Sequence, residues 1–280
     1  MSFESFSLIT FFGALIAGLL GSLTGLGGGV IIIPLLTLGL GVDLHYAIGA
    51  SLVSVIATSS GSAAAYVKEG ISNIRIGMFL EIATTIGAIC GAFLAMYLPA
   101  NAIAIVFGFL LFFSVYMSSR KKGMHPVEEI PGSWAGKLKL NGSYPTPSGP
   151  QKYAVKNVFG GFSVMWLAGI LSGLLGIGSG ALKVLAMDNV MKMPFKVSTT
   201  TSNFMIGVTA AASAVIYFQN GYIIPAIAAP IMLGVLVGAM FGSKILMKAQ
   251  TKWLKWVFAI VVSYLAIQMI YNGFIGKFGK

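Results

Sequence analysis

Two short stretches hold most of the residues of this chain that could do chemistry. "GLLGIGSGALKV", residues 173–184, places Gly176, Gly178, Ser179 and Gly180 just ahead of Lys183 in apolar surroundings. "SLTGLGGGVIII", residues 22–33, places Gly25, Gly27, Gly28 and Gly29 ahead of Val30, with Ile32 where the other stretch has Lys183. Glycine weakens helices and a lysine in hydrocarbon is costly, so both patterns call for a reason. A glycine turn between two helical pieces exposes N–H groups at the start of the second piece, where the helix dipole favours negative charge. Two such turns facing each other would make a site for a small anion. Lys183 could add a cation to that site or carry a coupling proton. Close packing of small residues explains Gly87/Gly91 and Gly238/Gly242 well. It explains a G-x-G-x-G cluster followed by a short segment, present twice, less well.

Other polar residues fall in register with these turns. "VSTTTSNF" opens an apolar segment with Thr201, Ser202 and Asn203, and Ser51 in "AIGASLVS" is the counterpart of Ser202. Hydroxyls and an amide can replace the water shell of an oxyanion without a fixed charge. Glu81 lies eight residues into another apolar segment, with Met232 as its counterpart. A carboxylate at that depth is a candidate proton carrier for an anion/proton cycle; the alternative is a lone acid near its helix end. Cys90 is the single cysteine, and His45 and His125 fall in separate loops. No metal centre, cofactor or catalytic constellation is expected, so an enzyme is not expected either.

The elements that must position these residues follow from composition. The 280 residues are 57% hydrophobic and 9% charged, far below the charge content of soluble domains. Apolar runs cover 6–24, 28–40, 44–67, 73–98 and 101–118, then 156–175, 180–191, 194–218, 222–247 and 253–274. Most are long enough to cross about 30 Å of hydrocarbon, and they are continuous rather than alternating, which argues against a β-barrel. The predicted fold is an all-α polytopic membrane protein. A polar insert, 119–155, separates residues 1–118 from 156–280 and is expected to be a loop with a short hairpin around "NGSYPT". The net charge of +11 lies largely in loops, which points to membrane orientation and not to nucleic acid.

A shift of 151 residues superimposes the halves without a gap. Gly25, Gly27 and Gly29 meet Gly176, Gly178 and Gly180; Ser51 meets Ser202, Thr58 meets Thr209, and Gly87 meets Gly238. Each half is therefore one repeat of about five segments. The loop holding Lys68 and Arg75 is basic, whereas its counterpart at 219–222 is uncharged; the turn at 99–100 is neutral, whereas its counterpart holds Lys248 and Lys252. Opposite charge bias in equivalent loops predicts inverted repeats with the central insert in the cytoplasm. Segment 180–191 is too short for a full span. The first two segments of each half are expected to form a broken, re-entrant hairpin at the glycine turn, with two full crossings as the alternative.

Duplicated halves opening with "AGLLGSLTGLGGGVIIIPLL" and "AGILSGLLGIGSGALKVLAM", joined by a basic loop, resemble the sulfite exporter TauE/SafE family. The resemblance covers nearly the whole chain, with departures at Ser179, where another glycine is expected, and at Leu185, opposite Pro34. It implies a multi-pass transporter of a prokaryotic cytoplasmic membrane for small sulfur-containing anions: sulfite, sulfoacetate or other organosulfonates. Alternating access about a midplane site is expected. An anion channel, or a transporter of another small anion such as a carboxylate, is the alternative. The expected partners are the substrate and the lipid bilayer, without nucleic acid, and a homo-oligomer is compatible with this reading.

Overall fold

Long apolar helices form where Leu, Ile, Phe, Ala and Gly run uninterrupted, because hydrocarbon leaves the backbone no partner but itself. The computed structural model describes residues 3–24, 28–68, 71–119, 133–146, 149–246 and 251–278. Gly25 and Gly27 lie outside the described residues. In the first half, α1 (Phe3–Thr24) precedes the short α2 (Gly29–Pro34), which loosens into a π-helical turn at Leu35–Gly39. Then come α3 (Leu44–Lys68), α4 (Ile74–Tyr97) and α5 (Ala100–Ser119). The insert contributes α6 (Trp134–Lys137) and a hairpin of β1 (Gly142–Thr146) on β2 (Gly149–Tyr153). The second half repeats the pattern: α7 (Val158–Leu175), α8 (Gly180–Leu185) with its π turn Ala186–Val190, α9 (Phe195–Gln219), α10 (Pro225–Leu246) and α11 (Thr251–Ile275). Among the described residues, four helices are long and apolar enough to cross a membrane by length and composition. Leu8, Phe12 and Ile16 on α1, and Met78, Ile82 and Ile86 on α4, form exposed apolar stripes at helical spacing. Such stripes suit a lipid surround, and the chain is an all-α polytopic membrane protein.

The duplication read from the sequence recurs in the packing. α1 packs on α10 as α7 packs on α4; α3 packs on α9, and α5 on α11. The close approaches match position by position. A Cβ on Gly169 would lie 2.2 Å from the Thr84 carbonyl oxygen, and one on Gly18 would lie 2.3 Å from that of Val235. A Cβ on Gly87 would meet Trp166 O at 2.2 Å, and one on Gly238 would meet Leu15 O at 2.0 Å. Each of these pairs is related by the same shift of 151. Both half-helices also leave their π turns alike, Val42 N–H donating to Leu36 O and Met193 N–H to Met187 O, each at 2.9 Å. Pro34 therefore does not cause the π turn, since Leu185 at the equivalent place gives the same path.

Contacts fix the levels of the helix ends. Lys156 N–H, before α7, donates to Met191 O, just after the α8 π turn, at 3.0 Å. α7 thus leaves, and the half-helix returns, on the side occupied by the insert. Asn73, ahead of α4, lies on this side too. Its side-chain oxygen caps the helix by accepting from Ile76 N–H, its backbone N–H donates to Thr201 Oγ1 at 3.0 Å, and its amide donates to Leu140 O and to Tyr153 Oη. At the opposite end His45, starting α3, bonds Ala95 O near the end of α4, and its ring stacks on Tyr222 beyond α9.

Tyr153 is the buried anchor of the insert, and burial pushes its hydroxyl above the ordinary value of 10.0, opposed by the Asn73 hydrogen bond. The undocked phenol ionises near that ordinary value while the docked one keeps its proton. Docking is therefore complete below pH 10.0 and is lost as pH rises through the docked value. Tyr153→Phe is expected to weaken docking by about 1 kcal/mol and to remove this alkaline step. Limited proteolysis of the insert against pH reads both effects.

Candidate functional site

The turn after α7 is built from residues that accept left-handed backbone. Gly176 and Gly178 have φ of 65° and 72°, which glycine adopts freely. Ser179 follows at 43°, a conformation costly to a residue with a side chain. Its hydroxyl donates to Ala168 O at 2.7 Å, which offsets that cost and ties the turn to the middle of α7. Ala168 lies ten residues into α7, about 15 Å along it. The turn therefore comes back to roughly mid-depth before α8 begins, and the eleven residues 180–190 return from there to the insert side. α7 and the half-helix thus form a hairpin with one long and one short arm, both open ends lying on the insert side.

Equivalent serines from the two halves grip this turn. Ser51 Oγ on α3 donates to Gly176 O at 2.8 Å, and Ser202 Oγ on α9 to Gly180 O at 3.3 Å. The first half's short helix abuts the same place: a Cβ on Gly29 would lie 2.5 Å from Ser51 Oγ and 3.4 Å from Gly176 O. Gly28 caps α2 without a side-chain hydrogen bond and is buried. Val30, Ser179 and Gly180 share a cavity of about 10 Å³, room for about one water. Thr201 belongs elsewhere, bonded to Asn73 on the insert side. Asn203 is half-buried on α9, and no hydrogen bond joins it to the turn.

One turn beyond Gly180, Lys183 is fully buried. Its ammonium donates to Thr209 Oγ1, and Thr209 in turn meets Glu81 Oε1 at 2.5 Å. Thr85 Oγ1 adds a 3.3 Å bond to the same carboxylate oxygen. The other oxygen, Oε2, lies 4.0 Å from the ammonium and has no hydrogen-bond partner among the described residues. Depths agree: Glu81 is eight residues from Asn73, Thr209 eight from Thr201, and Lys183 eight from Met191. Each is thus about 12 Å inside the insert-side level. Three elements from both halves converge on one buried, charged cluster. Residue order singles out Lys183 and Glu81 separately but not their meeting, and Thr209 carries no signal in it beyond its match to Thr58.

A broken half-helix and a lysine paired with a carboxylate inside a bundle of apolar helices are features of membrane transport proteins. The chain belongs to the Sulfite exporter TauE/SafE family, which it matches over residues 10–269. It is 30% identical over 277 residues to the "Probable membrane transporter protein YunE" of Bacillus subtilis (strain 168), covering 96% of this chain and 98% of that one. A "Probable membrane transporter protein" of Xylella fastidiosa (strain 9a5c) is 26% identical over 276 residues, covering 97% of each. The "Probable membrane transporter protein YdhB" of Bacillus subtilis is 25% identical over 237 residues, 85% of this chain and 87% of that one. No solved structure matches significantly.

Proposed function

We propose that this protein carries small sulfur-containing anions, sulfite or an organosulfonate such as sulfoacetate, by alternating access. The observation that carries the reading is Lys183. It is the one fully buried cation among the described residues, and it lies one turn from the glycine bend where both halves meet. The family description supports sulfite, and the chemistry supports a compact oxyanion. Ammonium, serine hydroxyls and backbone N–H groups are all donors suited to one. The anion enters between the half-helices, taking over donors that Ser51 and Ser202 now give to the turn's carbonyls. Gly28, Gly29, Gly176, Gly178, Ser179 and Gly180 form its cradle, while Thr201, bonded to Asn73, and Asn203, not bonded to the turn, stand apart from it.

The repeats are inverted in this reading. α3 starts beside the end of α4 and finishes near its start, whereas its counterpart α9 starts on the insert side, which supports opposite directions. The insert faces the cytoplasm of a prokaryotic cell, as Arg75, Lys137, Lys139, Lys152, Lys156, Lys192 and Lys196 on its side support. A cavity of about 10 Å³ at the turn is far too small for a sulfonate, which favours a site remade during a carrier cycle over an open pore. The test is counterflow in proteoliposomes. Sulfite-loaded vesicles are expected to accumulate labelled sulfite saturably, with unlabelled sulfonates competing and carboxylates not. Unitary currents, or counterflow with carboxylates alone, would replace the reading.

A further inference from the structure

Building on the carrier reading, we propose that the site loads its anion together with one proton, which Glu81 takes up and keeps, while Thr209 turns away and frees the Lys183 ammonium to pair with the anion. Charge balance requires the proton. Lys183 and Glu81 are a buried pair with no net charge. An anion joining that pair as it stands would leave a net negative charge in a low-dielectric layer, which is strongly disfavoured. A proton added to the Glu81 carboxylate cancels the excess. The glutamic acid becomes neutral, the ammonium keeps its charge, and the anion becomes its counter-ion. Proton and anion therefore favour each other's binding.

The geometry provides the exchange. Thr209 accepts from the Lys183 ammonium and can donate either to Glu81 Oε1 at 2.5 Å or to Met205 O at 3.0 Å. With Glu81 ionised, the hydroxyl points to the carboxylate and the chain Lys183–Thr209–Glu81 is closed. When Glu81 gains a proton it becomes a donor, Thr209 turns to Met205 O, and the lysine loses its counter-charge. Glu81 Oε2 has no hydrogen-bond partner among the described residues and can receive that proton.

No other charge stands in for this pair. α7, packed on α4, has no ionisable side chain; α9 has Lys196 and Tyr217, both near its ends. Asp188, on the π turn after α8, is the other buried carboxylate on these elements, five positions beyond Lys183. The neighbours of Glu81 are otherwise the hydroxyls of Thr85 and Thr209. The equivalent positions of the other half are Ile32, Met232 and Thr58, so the device exists once. Glu81 comes from the first repeat, while Lys183 and Thr209 come from the second, so the pair joins the two repeats.

Calorimetric titration of the purified protein with sulfite and with methanesulfonate, in buffers of different ionisation enthalpy, counts protons bound with each anion. Methanesulfonate has no titrating group between about pH 5 and 9, and the protonation of sulfite is subtracted from a protein-free titration. The wild type is expected to take up one proton per anion, with affinity falling tenfold per pH unit wherever that proton is taken up. Glu81→Gln is expected to take up none and to bind with no pH dependence. Binding by the wild type without proton uptake overturns the coupling but leaves the carrier reading standing. Failure of the wild type to bind either anion or to show counterflow removes both. The wild-type count decides the coupling even where the variant does not fold.

Discussion

Lys183→Met is expected to weaken binding of a sulfur oxyanion roughly 10- to 100-fold and to destabilise the protein by about 3–5 kcal/mol. The two losses have different origins. The first is the charge-assisted contact to the anion, for which the described interior has no other fully buried cation. The second arises because Glu81, 8% exposed, keeps its carboxylate in the same place without the ammonium 4.0 Å away. Adding Glu81→Gln should therefore recover most of the stability and none of the affinity. A pair that is merely decorative predicts instead that both single variants and the double variant melt with the wild type. Thermal unfolding of the four proteins, with anion titration of each, separates these outcomes, and the non-additivity of the cycle measures the coupling.

Gly173→Val is expected to cost about 3 kcal/mol or more and to reduce the yield of folded protein sharply. α4 and α7 approach through their backbones. A Cβ at position 173 would lie 2.0 Å from Ala88 O and 2.8 Å from Ala92 N, atoms that no rotamer change can move. Gly91 faces the same contact from the other helix, its Cβ position 2.0 Å from Ile170 O. Accommodating a side chain requires the helices to separate by more than an ångström, and hydrocarbon does not reward that separation. Because Glu81 rides on α4, the change also draws the carboxylate away from Lys183. Gly39→Ala is the matched control. Its Cβ would meet only Leu35 Cδ1, at 3.9 Å, so its unfolding temperature should stay close to wild type. Similar melting of the two variants would contradict the backbone-contact argument.

Some of this was legible without coordinates. Hydropathy and the 151-residue register arise from local composition, so the helices and the duplication could be read from residue order, whereas "NGSYPT", expected to centre a hairpin, is mostly its first strand, Gly142–Thr146. The glycine turn ahead of α8 was legible too, because left-handed backbone has a strong compositional signature at Gly176 and Gly178. Ser179 was a departure whose consequence only the fold could decide: its hydroxyl finds Ala168 O, a partner eleven residues away across the turn.

Lys183 and Glu81 were each conspicuous as charges in apolar runs, but residue order sets no distance between positions about a hundred apart. Their meeting depends on α4, α8 and α9 crossing at one depth, which the glycine contacts of α4 on α7 and the Asn73–Thr201 bond determine. Thr209 was invisible for the same reason, since a threonine in a helix ordinarily bonds its own backbone and acquires a role only from what packs beside it. Local chemistry is written in the chain one residue at a time. Charge pairing is written in the packing, because Coulomb forces and hydrogen bonds act through space and not along the backbone.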